Sequence, residues 1–203
     1  MKNFLVVYVH GKGGSIEETE HYKKFFPRSD VVGFDYKSEN VWEFKEEFLK
    51  FIAEKNKNLD EIILIANSIG AYFSMNALSG KKIHGAIFIS PIVNMEKIIK
   101  NMMHAENVDE QELRDKKIIP TKFGENLSWE YLRYVHENKI FWDTPTEILY
   151  GEKDNLTDEK TMFDFAEKFN ANVTVMKNGE HWFHTAEQMN FLDNWIKNIS
   201  KNF

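Results

Sequence analysis

The sequence contains no cysteine. Disulfides, thiolate metal sites and a cysteine nucleophile are therefore excluded, and a reducing compartment is compatible with the composition. Nor is there any excess of basic charge. Its 26 Lys and Arg stand against 32 Asp and Glu, a formal net charge of -6. Nucleic acid and anionic membrane surfaces reward clustered Lys and Arg, so neither is expected as a partner. No apolar run approaches the ~20 residues of a membrane span. The run at 4–9 is too short for a signal-peptide core and stops at His10 and Gly11, with no small-residue cleavage site. A soluble, cytoplasmic protein is expected, and the Asn-x-Ser/Thr matches carry no meaning without a secretory signal. Internal repeats, low-complexity tracts and interdomain linkers are missing too. The 203 residues fit a single domain. A chain of this size buries roughly 70% of its unfolded surface, enough for a core without staples.

What is present is a recurring pattern. Apolar, β-branched runs of strand length occur at 4–9, 31–34, 62–66, 83–90, 147–150 and 172–176. They are continuous rather than alternating, as strands buried on both faces of a parallel sheet require. Helical patterns lie between them. Val41, Phe44, Phe48, Phe51 and Ile52 form one apolar stripe, and Met162, Phe165, Ala166 and Phe169 form another, opened by Thr157 and Asp158 as possible caps. Further helices are expected at 71–79 and 187–199. Strand alternating with helix predicts an α/β doubly wound fold with a mostly parallel six-stranded sheet. One stretch breaks the alternation, because about fifty residues separate Pro91 from Pro145, too many for a structureless loop. Helical spacing of Met95, Ile98, Ile99 and Met102, and of Leu132 and Val135 beside Trp129 and Tyr131, predicts a small helical cap inserted over the carboxyl end of the sheet.

Chemistry concentrates where the strands end. The pentapeptide Ala66-Asn67-Ser68-Ile69-Gly70 follows the apolar run at 62–65 and leads into a helical pattern. A buried strand ending in small-x-Ser-x-Gly describes a nucleophile elbow, a tight turn that lifts one hydroxyl clear of the sheet. The plain alternative for Ser68 is a helix cap. A serine hydroxyl is a weak nucleophile. It needs a base, the base needs an orienting carboxylate, and the oxyanion needs donors. The loop from His10 to Ser15, HGKGGS, follows the first strand with three glycines that let backbone N–H groups approach a ligand. The N–H groups of Lys12 and of Ile69, directly after the serine, are the candidate oxyanion donors. His10 is read as orienting its loop rather than as a base. Asp154, in Gly151-Glu152-Lys153-Asp154, sits where a strand-end loop presents a carboxylate, and Asp158 is the other candidate acid. Either histidine of GEHWFH at 179–184 can supply the base; His181, just past Gly179, is favoured over His184 at the start of the last helix.

Taken together, HGKGGS, ANSIG, GEKD and GEHWFH resemble the α/β-hydrolase superfamily, and the match covers nearly the whole chain outside the cap. The order Ser, Asp, His is that of the superfamily. The resemblance implies Ser68 as nucleophile, Asp154 as acid, His181 as base, and Lys12 and Ile69 as oxyanion donors. It further implies a single domain over 1–203 with an inserted helical lid at about 92–143, and a chain that begins at the usual third strand, so that the first two are lacking. Ala66 stands where glycine is usual, a mild departure. The implied activity is that of a carboxylesterase or thioesterase. It cleaves a small carboxylic ester or related acyl compound through an acyl-enzyme intermediate, with no metal or organic cofactor. Met95, Ile99, Met102, Trp129 and Tyr131 are candidate lid contacts to an apolar acyl group, or simply residues that pack the lid. The oligomeric state is not legible.

Two other readings compete. Gly11, Lys12, Gly13 and Gly14 after a first strand, with Asp35 at the end of the second, resemble a dinucleotide fingerprint, but Ile16 occupies the third glycine position. A hydrolase fold can also serve as a non-catalytic receptor or interaction module. Such a protein would usually have lost one of the three catalytic residues, and here all three are present.

Overall fold

The computed structural model describes residues 4–55, 58–122 and 124–203. In chain order the elements are β1 (Leu5–Val9), α1 (Thr19–Lys23), β2 (Asp30–Gly33), α2 (Val41–Lys55), β3 (Ile62–Asn67), α3 (Ile69–Ala77), β4 (Gly85–Ile89), α4 (Met95–Ala105), α5 (Glu110–Lys116), β5 (Ile118–Pro120), β6 (Asn126–Ser128), α6 (Trp129–Glu137), β7 (Thr146–Gly151), α7 (Glu159–Phe169), β8 (Asn172–Met176) and α8 (Ala186–Ile199). The chain divides into two compact units, 1–93 with 141–203, and 94–140. Among the described residues no helix is long and apolar enough to cross a membrane.

The first unit is built on a six-stranded sheet in the order β2-β1-β3-β4-β7-β8. Every pairing in it is parallel. The four inner strands are almost wholly buried, which explains why they read as continuous apolar runs. Because successive side chains point to opposite faces, Val6, Tyr8, Ile63, Ile65, Ile87 and Leu149 share one face. They form a single core cluster there with Tyr22 of α1 and Leu192, Trp195 and Ile196 of α8. The residues that alternate with them line the other face. The aromatic rings of Phe44, Phe48 and Phe73 from α2 and α3 meet one another on that second layer. Helices on both faces of a parallel sheet make the fold doubly wound.

The topology also decides where a site can form. From β1 the chain moves outward to β2, then returns past β1 to β3. Loops leaving the carboxyl ends of β1 and β3 therefore diverge, and a crevice opens at that switch point. Parallel strands bring the loops after β1, β3, β4, β7 and β8 to the same edge of the sheet.

The second unit holds α4, α5 and α6, and also an antiparallel hairpin in which Ile118 faces Ser128 and Pro120 faces Asn126. The cap expected to be helical thus carries a small sheet as well. Its α4 and α6 are stapled by Glu96, whose carboxylate accepts from Lys100 (2.8 Å) and Lys139 (2.9 Å) and lies 2.9 Å from His136 Nε2. The hydrogen bonds from Lys100 first, and then from Lys139, hold the Glu96 carboxyl down at about 2.

Candidate active site

At the end of β3 the backbone turns sharply. Ser68 has φ 49° and ψ −120°, in the positive-φ range that L side chains avoid. Such strain persists only where surrounding structure overrides it. The override is visible here, since Ser68 N–H donates to Ile89 O (3.0 Å) while Ser68 O accepts from Ile92 N–H (3.0 Å). Glycine at 70 is required by close approach. A Cβ there would stand 2.4 Å from His10 O and 3.0 Å from Val9 O. Gly11 is similar, because its Cβ would lie 3.1 Å from that of Ser68. Ala66, by contrast, is fully buried within the ladder, paired with Val9 and Phe88, and its methyl fits. Changing Gly70 to alanine should therefore push α3 off β1, at about 1–3 kcal/mol for an overpacked contact. That is roughly 2–12 °C in Tm for a domain of this size, measurable by thermal melting.

The Ser68 hydroxyl lies 2.8 Å from His181 Nε2, and His181 Nδ1 lies 2.7 Å from Asp154 Oδ2. Side-chain exposure falls to 15% at His181 and to 0% at Asp154. A carboxylate only accepts hydrogen bonds, so Nδ1 carries the proton, and Nε2 of the neutral ring is left to accept from the serine hydroxyl. The other carboxylate oxygen, Oδ1, is not idle. It accepts from Leu156 N–H (2.8 Å) and Thr157 N–H (3.0 Å), which lock the acid's orientation. The loops that bring the pair together are themselves interlocked through glycine. A Cβ on Gly151 would lie 2.5 Å from Glu180 O and 2.6 Å from Gly179 O.

The alternatives separate cleanly. Asp158 caps α7 by accepting from Thr161 N–H. Thr157, the other expected cap, is buried instead, with its hydroxyl donating to Pro91 O (3.2 Å), a partner 66 positions away in sequence. His184 turns its Nδ1–H toward Trp182 O (2.8 Å) and stacks on the Trp182 ring at 4.5 Å, an arrangement local to its own loop. His10 is buried, with Nδ1 2.8 Å from Gly11 O and its ring stacked on Tyr36 at 4.4 Å, so it orders the glycine loop. Ile69 opens α3, and N–H groups of a first helical turn have no intrahelical partner. Lys12 lies in the tight turn closed by Gly14 N–H donating to Gly11 O. Of the candidate lid residues, Met95 and Ile99 are buried and Met102, Trp129 and Tyr131 are half-buried, with the Arg114 guanidinium 4.8 Å from the Trp129 ring centre.

One network escapes sequence reasoning. Asn67, the residue before Ser68, donates from Nδ2 to Tyr8 Oη (2.8 Å), and Tyr8 Oη donates to the Glu18 carboxylate. Glu18 also accepts from Ser15 N–H (3.3 Å). Burial, then Tyr22 and Glu18, push the Tyr8 phenol well up, so it stays a donor. The chain of bonds ties the turn after β3 to the glycine loop after β1. Within the apolar run at 4–9, Tyr8 reads as an ordinary core residue, and nothing local signals its partner.

No family model matches the chain. A Mycoplasma genitalium protein named as an esterase/lipase is 30% identical over 104 residues, which span 45% of this chain and 37% of that relative. The matched region is thus little more than a third of the relative's length. Solved structures match over far more. Est1E from Butyrivibrio proteoclasticus superposes with a TM-score of 0.78 at 16% identity, covering 99% of this chain and 88% of that one. Mouse α/β hydrolase domain-containing protein 10 gives 0.76 at 15%, covering 99% and 91%. An esterase from the archaeon Pyrobaculum calidifontis gives 0.64 at 17%, covering 98% and 76%. The chain has the α/β-hydrolase fold. In this α/β-hydrolase fold Ser68, Asp154 and His181 follow β3, β7 and β8, three strand ends on one edge of the sheet.

Proposed function

We propose that the protein is a serine hydrolase of small acyl compounds, carboxylic esters foremost, with Ser68 as nucleophile, His181 as general base and Asp154 as its orienting acid. The observation that carries the proposal is the unbroken run of contacts from Ser68 Oγ through both ring nitrogens of His181 to Asp154, at 2.8 and 2.7 Å. The esterases among the structural neighbours and the esterase/lipase relative support ester hydrolysis as the reaction class.

In this reading His181 Nε2 takes the Ser68 proton as Oγ attacks the acyl carbonyl. Asp154 holds the ring in the right tautomer and stabilises its charged form. The oxyanion is received by the N–H groups of Lys12 and Ile69, each such donor contributing about 3 kcal/mol to barrier reduction. Collapse expels the alcohol, which leaves with the proton held by His181, and an acyl-serine ester remains. Water, deprotonated by His181, then attacks that ester; the carboxylic acid leaves and Ser68 recovers its proton. Thioesters, lactones and amides can use the same machinery.

A panel of nitrophenyl esters from acetate to dodecanoate, with matching acyl thioesters, tests the assignment. Hydrolysis is expected with a maximum of kcat/KM at short or medium chains. A well-folded sample that turns over none of them contradicts it.

A further inference from the structure

The hydrogen bonds around the site close into a ring, and one side chain outside the triad completes it. We propose that Thr157 is a positioning residue that holds Asp154 in register with Ser68 by way of the turn after β4. The inference rests on the serine-hydrolase reading and adds a residue to it.

Thr157 is 3% exposed, and Asp158 already caps α7, so its hydroxyl is not spent on the helix. It has three polar contacts. Its N–H donates to Asp154 Oδ1 (3.0 Å), its Oγ1–H donates to Pro91 O (3.2 Å), and its carbonyl accepts from Tyr150 Oη (3.0 Å). The Tyr150 phenol, pushed up to about 12 by burial and then by the Asp154 charge, remains a donor throughout the working range.

Pro91 belongs to a second strained turn. Ser90 has φ 43°, is 1% exposed, and its hydroxyl has no partner among the described residues. Strain and a buried unpaired hydroxyl both cost stability. What the turn accomplishes is placement. The residues that flank it, Ile89 and Ile92, both hold the Ser68 backbone, by C=O and by N–H respectively. The ring therefore runs from the Ser68 hydroxyl to His181, to Asp154, to Thr157, to Pro91, and through Ile89 and Ile92 back to the Ser68 backbone. Besides the backbone ladder that joins β3, β4 and β7, two side-chain routes relate nucleophile and acid, one through the reacting histidine and one through Thr157. If the second is cut, the only side-chain link left between the Asp154 loop and the elbow runs through His181, the group that must move charge during the reaction, and the rest of the tie is the β3–β4–β7 backbone ladder. Small misplacements of reacting groups are costly because attack requires near-contact geometry.

Thr157→Val removes the hydroxyl and keeps shape and N–H; Thr157→Ser keeps the hydroxyl. With rates normalised to folded protein, Thr157→Val is expected to lower kcat about tenfold while KM stays within about twofold, as loss of alignment without loss of binding requires. The rate of fluorophosphonate labelling at Ser68 should fall in parallel, and Thr157→Ser should restore both. Thr157→Ala, which deletes the same hydroxyl, serves if the valine variant does not fold. The proposal is overturned if kcat is unchanged, if only Tm falls, or if serine loses as much activity as valine. Absence of hydrolysis and labelling in the wild-type protein would instead overturn the serine-hydrolase reading itself, so the two failures are distinct.

Discussion

Ser68→Ala is expected to lower kcat by about 10⁴–10⁶-fold, the range for removing a nucleophile that works as part of a unit. Secondary structure and thermal unfolding should change little. Alanine keeps the Cβ that lies against Gly11, and it keeps the backbone bonds from Ser68 to Ile89 and Ile92. The strain at φ 49° also persists, because it belongs to any residue with a Cβ. A companion variant separates strain from chemistry. Ser68→Gly should be just as inactive yet more stable than Ser68→Ala by about 1–2 kcal/mol, once glycine's own entropic cost is set against the strain relieved. Turnover assays and melting curves on the three proteins check both statements. Normal activity in the alanine variant would remove Ser68 from the mechanism, and a glycine variant no more stable than alanine would show that the strain is no larger than glycine's entropic cost of about 0.5–1 kcal/mol.

The second large effect distinguishes two histidines three positions apart. His181→Ala is expected to be nearly as severe as Ser68→Ala, since it removes both the proton acceptor for Ser68 and the donor to the buried Asp154 carboxylate. His184→Ala should change kcat by less than about threefold, because its side-chain contacts are with Trp182 and Glu180 in the same loop and surface substitutions of this kind act weakly. Steady-state kinetics on the pair decides the matter. A reversed order of severity would exchange their roles and leave the 2.8 Å contact between Ser68 and His181 without a function.

Why these residues can be read from the chain at all has a physical answer. The inner strands are buried on both faces, so their sequences are unbroken apolar runs with little ambiguity. Each run stops where a glycine or a polar residue must turn the chain, and in a parallel sheet those stops share one edge. Ser68, Asp154 and His181 therefore stand out as polar residues just past the ends of three strands, β3, β7 and β8, and the structure brings the three into contact. Elsewhere the local signal fails. The β5–β6 hairpin consists of two three-residue strands, and Ile118 is 58% exposed, so no run or period marks it. Thr157 and Asp158 are both good caps by local preference. Which of them is buried depends on Pro91, which no window around the helix contains. Tyr8 illustrates the same limit, since its ring reads as core while its hydroxyl joins Asn67 to Glu18. What a sequence window carries is burial and turning; what it omits is any bond closed by tertiary contact.

The central claim is that Ser68 is an activated nucleophile, and the most direct measurement is reaction with a fluorophosphonate probe followed by mass spectrometry of the labelled peptide. One label per chain is expected, on Ser68, and absent in His181→Ala. A well-folded protein that takes no label, or takes it on another serine, would contradict the claim.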